Sequence, residues 1–106
     1  DFVHRTDVAR GVAALAEQVE AGAAVPPPIQ LVTGVPTTLG GLAALAVECA
    51  GTQARIEERQ PRSFDVRCFV GHPGRARRLL GWSAEVSLRR GLEGLVDDFR
   101  QVQIAG

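Results

Sequence analysis

A chain of 106 residues, 45% hydrophobic and 23% charged, with 12 basic side chains against 12 acidic ones, is long enough for one compact domain and too short for two separate cores. That balance argues against disorder and against a dedicated polyanion binder. All 12 basic residues are Arg, and Lys, Tyr, Asn and Met are absent, which excludes Schiff-base chemistry, a phosphate-loop lysine and any proton relay built on a Tyr–Lys pair within this chain.

Residues 7–22 carry Val8, Val12, Leu15 and Val19 at helical spacing, with Thr6 or Asp7 placed as N-cap and Gly22 as the stop, and are predicted to form an amphipathic helix. Pro26, Pro27 and Pro28 then end any helix, and Ile29, Leu31 and Val32 read as a short buried strand. Thr38 caps a second predicted helix with the stripe Leu39, Leu42, Ala43, Ala46 and Cys49, closed by Gly51. Gly40 and Gly41 weaken its first turn by about 1 kcal/mol each relative to Ala, so a neighbouring backbone is expected to approach closely there.

A short strand is expected around 55–57, a polar loop over 59–65 and another extended stretch over 66–70. Pro73 opens a third helix with Ala76, Leu79 and Leu80 facing inward and Gly81 closing it, directly before Trp82. Ser87 caps the last helix, whose apolar stripe is Leu88, Leu92, Leu95, Val96 and Phe99.

Asp1, Phe2, Val3 and His4 with Asp7, Val8 and Ala9, then Thr37, Thr38 and Leu39 opening a helix, then Arg62 to Asp65 and the run from Arg75 through Leu79, Leu80, Gly81 and Trp82, stand in an order that carries a family resemblance. Over essentially its whole length the chain resembles the carboxyl-terminal part of the extended short-chain dehydrogenase/reductases, the group that contains NAD(P)-dependent nucleotide-sugar epimerases and dehydratases. The resemblance implies an α/β fold: one small substrate-binding C-terminal subdomain over 1–106, with about four helices and a few short strands and without the Rossmann core.

It also implies a function, the nucleotide-sugar-binding portion of such an enzyme, catalytically incomplete alone. NAD(P) is implied for a full-length or complemented enzyme and no cofactor for this chain by itself. No two glycines stand at i and i+2, so the G-x-G-x-x-G fingerprint cannot be written, and the catalytic Tyr and Lys of the family are missing. No catalytic residue is assigned.

By the resemblance, Arg62 neutralises the diphosphate and Asp65 accepts from the ribose hydroxyls. A guanidinium fork and a carboxylate suit those two groups. Phe2, His4 and Phe69 are the further candidates for lining the substrate pocket. Ser63 and Phe64 stand where relatives carry Pro-Gly, and His72 where they carry an acid.

Other chemistries fare worse. His4, Cys49, Cys68 and His72 lack the paired, closely spaced ligands of a zinc site. Arg75, Arg77, Arg78, Arg89 and Arg90 are offset by Glu85, Glu93, Asp97 and Asp98, and five aromatics are too few for a nucleic-acid binder. Two cysteines give no disulfide framework, so the cytoplasm is the expected compartment, and no apolar run approaches the roughly 20 residues that span a bilayer. The opening at Asp1 suggests a processed or truncated chain. Helices that have lost a sheet to pack on leave apolar surface uncovered, so a homo-oligomer or a complex with a missing N-terminal Rossmann half is expected. The alternative function is a non-catalytic oligomeric interaction module derived from the same family.

Overall fold

The computed structural model describes residues 1–65 and 68–105. It contains helices α1 (Arg5–Glu20), α2 (Leu39–Ala50), α3 (Gly74–Leu80) and α4 (Leu88–Ala105), and no strand among the described residues. The α/β expectation is therefore corrected to all-helical. No helix is long and apolar enough to cross a membrane.

The absence of a sheet has a local cause. The stretch 29–33 does lie beside 69–72, close enough that a Cβ on Gly71 would stand 2.6 Å from the Val32 side chain. The polar groups that would form a ladder are engaged by side chains instead. Asp1 Oδ1 accepts from the Thr33 N–H (2.9 Å), Asp1 Oδ2 from the N–H groups of Gly34 (2.8 Å) and Gly71 (3.3 Å), and Gln30 Oε1 from the His72 N–H (3.0 Å). Such side-chain acceptors compete directly with strand pairing. The expected strand at 55–57 is exposed coil, and so are the described residues 68–70 of the third extended stretch; Val66 and Arg67 lie outside the described residues.

Helix α1 starts two residues before the expected position because its N-cap is His4, in place of Thr6 or Asp7. The His4 backbone is extended, and its Nδ1 accepts from the Thr6 N–H at 3.2 Å. Its inward face is also displaced: Asp7 and Gly11 are buried, whereas Val12 and Val19 of the predicted stripe are exposed. In α2, Thr38 Oγ1 accepts from the Gly41 N–H at 2.9 Å, and Gly51 closes the helix at φ +65°. No neighbouring backbone approaches its first turn; a Cβ at Gly40 would meet nothing and one at Gly41 would meet the capping hydroxyl. Leu39, expected inside, is exposed.

Pro73 caps α3, Ala76 is fully buried, Leu79 is exposed and Gly81 closes the helix at φ +62°. Ser87 Oγ accepts from the Arg90 N–H at 3.2 Å, as its capping role requires. Packing divides into two pairs, α1 with α3 and α2 with α4. The core is small: Val32, Ala76 and Trp82, with the carboxylate of Asp7 among them. Leu88, Leu92 and Val96 of α4 are half-buried, while Leu95 and Phe99 lie open to solvent.

Candidate functional site

The loop 61–65 turns back on itself, with the Asp65 N–H donating to the Arg62 carbonyl at 3.1 Å. That turn puts the two expected ligand contacts side by side: Arg62 Nε donates to Asp65 Oδ1 at 2.9 Å and the Arg62 N–H to Asp65 Oδ2 at 2.7 Å. The guanidinium also stacks over the Phe64 ring, 4.6 Å from its centre, a cation–π contact. The Arg62 side chain is 71% exposed. A diphosphate arriving here would find a planar cation already oriented, and would compete with Asp65 for it.

The other three sequence candidates make no hydrogen bond to that pair among the described residues. Phe69 is an exposed side chain whose carbonyl accepts from the Asp1 backbone nitrogen at 2.7 Å. Phe2 and His4 line an open apolar groove of about 500 Å3 together with Leu42, Leu88, Leu92 and Leu95. Phe2 lines a second cleft as well, of about 420 Å3, where Thr37, Arg77, Ser83 and Glu85 supply the polar groups. Neither Arg62 nor Asp65 lines either cavity. The His4 ring is occupied on one side by Thr6, and its other edge rests against Gly91, where a Cβ would come within 3.1 Å.

The strongest electrostatic feature surrounds Asp7, whose place in the sequence suggests only an N-cap. Asp7 is 2% exposed and accepts from Arg10 at 2.9 Å and from the N–H groups of Glu85 (3.2 Å) and Val86 (3.0 Å). Burial pushes its carboxyl up, but the Val86 N–H, the Arg10 guanidinium and the Glu85 N–H together outweigh it and hold the pKa below the ordinary value. Trp82 Nε1 donates to the Asp7 carbonyl at 2.8 Å, and Arg10 reaches the Ser83 carbonyl at 2.8 Å while lying over the indole. Both carboxylate oxygens of Asp7 are thus engaged inward, which makes it a clamp holding 82–86 onto α1. The signal was present: an acid one residue before Val8, in the first turn of a helix, with a Trp directly after a later helix stop.

Asp1 is a second clamp, taking four donors from Thr33, Gly34 and Gly71. Among the described residues no three His, Cys, Asp or Glu side chains gather as a metal site. Nor do they provide the strand, glycine turn and helix that cradle a dinucleotide pyrophosphate, so no step is derived through NAD(P). No family model matches the chain, and no curated protein matches it.

Proposed function

We propose that the chain binds a nucleoside diphosphate sugar, as the binding portion of an NAD(P)-dependent nucleotide-sugar epimerase or dehydratase, and performs no hydride transfer alone. The single observation that supports this reading is the turn that brings the Arg62 guanidinium and the Asp65 carboxylate together. Arg62 takes the diphosphate. Asp65, released from Arg62 as the anion arrives, accepts from the vicinal ribose hydroxyls. Phe64 keeps the guanidinium oriented through both states, and Phe69 and Phe2 offer apolar faces to the rest of the ligand, with His4 the least accessible of the candidates.

Calorimetry with uridine and thymidine diphosphate sugars tests it. Wild type should release heat, and Arg62→Ala should weaken binding by one to two decades, the loss of a charge-assisted pair of about 1.5–3 kcal/mol. Equal heats for both proteins, or none for either, would remove the assignment. A non-catalytic interaction module is favoured by a different observation, the large apolar surface left uncovered.

A further inference from the structure

The accessible surface is 8349 Å2, whereas a folded monomer of 11.3 kDa is expected to expose about 5,700 Å2. The radius of gyration, 17.2 Å, likewise exceeds the roughly 13 Å expected for this length. The molecule is a slab of 52 × 38 × 20 Å. Surface in excess by about 2,600 Å2 is more than three times the ~800 Å2 that each partner contributes to a standard stable interface.

Part of that surface is ordered in a way that suits pairing. Along α4, Leu95 (46% exposed), Phe99 (64%) and Val102 (68%) follow one another at spacings of four and three and form a ridge, whose first member Leu95 also lines the apolar groove. The ridge extends from the 500 Å3 apolar groove, which Leu88, Leu92 and Phe2 line with Leu95. Gly94 edges the groove, and a Cβ built there would meet nothing within 4 Å, so another backbone can approach closely. A groove followed by a ridge along one helix suits a two-fold axis crossing that helix, since each copy can then seat its ridge in the other's groove and close the assembly.

We propose that two copies of this chain pair through α4, with Phe99 and Val102 of each seated in the groove of the other. Charge favours a second copy as the occupant. The net charge is zero, so copies do not repel one another. Within α4, Arg89, Arg90 and Arg100 are matched by Glu93, Asp97 and Asp98, which leaves no basic face for an anionic lipid surface. The pairing leaves Arg62 and Asp65 open but covers Phe2 and His4, so of the three pocket-lining candidates only Phe69 stays available to a ligand in the paired state.

Sedimentation velocity of the wild-type chain between about 1 and 100 μM should resolve twice the chain mass, with the dissociation constant raised on the order of 100-fold by Phe99→Asp. Gly94→Arg projects into open groove, so it should also yield monomer while leaving the circular dichroism unchanged. Val25→Asp, at an exposed apolar residue that lines neither this groove nor α4, should remain dimeric. A wild-type monomer at 100 μM would overturn the proposal, and so would dimers that survive both Phe99→Asp and Gly94→Arg, dissociation by Val25→Asp, or a ladder of species beyond two.

Discussion

The α1–α3 pair and the α2–α4 pair are joined by different physics. Between α1 and the chain following α3, a buried carboxylate, an indole N–H and a guanidinium are all mutually satisfied around Ala76, and Gln18 of α1 donates to the Leu79 carbonyl at 2.7 Å. Between α2 and α4 the specific links lie at the surface, Arg89 to Glu48 at 3.0 Å and Arg100 to the Ala50 carbonyl at 2.6 Å, and no residue of α2 or of 88–102 is buried. The first pair carries its own core. The second has no buried residue among those described, and leaves Leu95, Phe99 and Val102 exposed for the pairing proposed above.

Removing the Asp7 clamp should therefore have the largest effect of any single change. Asp7→Ala strands Arg10 and two backbone N–H groups, and is expected to cost about 3–5 kcal/mol in urea denaturation. If the loss is below 1 kcal/mol, the contrast between the two pairs disappears. Acid probes the same group without mutation. The folded pKa of Asp7 lies below its unfolded value, so its contribution is fully present above the ordinary Asp pKa of about 3.9 and lost as pH falls through the folded value. Unfolding followed by Trp82 fluorescence should show that loss below about pH 4 in wild type and not in Asp7→Asn.

Two glycines sharpen the contrast at smaller magnitude. A Cβ at Gly11 would stand 2.7 Å from Leu31 Cδ2 and 3.1 Å from Trp82 Nε1. Gly11→Ala should therefore destabilise, its overpacking of about 1–3 kcal/mol exceeding a helix gain of about 1 kcal/mol. Gly94 has open space, so Gly94→Ala in the Phe99→Asp background should stabilise by about 0.8–1 kcal/mol. The smallest effect is expected for Arg89→Ala, whose partner Glu48 is equally exposed to solvent; its Tm should match wild type within error.

Helix positions were legible in the sequence because they rest on local chemistry. Thr38, Ser87, Gly51 and Gly81 act where capping and positive φ place them, whatever the rest of the chain does. Which face turns inward was less legible. Val12 and Val19 follow the rule of apolar periodicity and are exposed, because the partner of α1 is an indole that needs a carbonyl and a glycine surface. The strand at 29–32 failed for a non-local reason: its ladder partners are pre-empted by a carboxylate about 30 residues earlier in the chain. Of the candidate site, Arg62 and Asp65 were singled out only by the family resemblance, and their hydrogen bonding and the stacking on Phe64 are set by the local turn, while the cavity shared by Phe2 and His4 depends on how distant segments meet.

The bond from Trp82 to the Asp7 carbonyl spans 75 residues. On a ribosome adding about 5–20 residues per second, α1 emerges several seconds before the indole that fastens it. For that interval α1 has only the segment 25–31, whose apolar residues share one cleft with Leu15, to pack against. Slowing translation between codons 20 and 82 should lengthen that window and lower the yield of folded protein, without any change to the final structure.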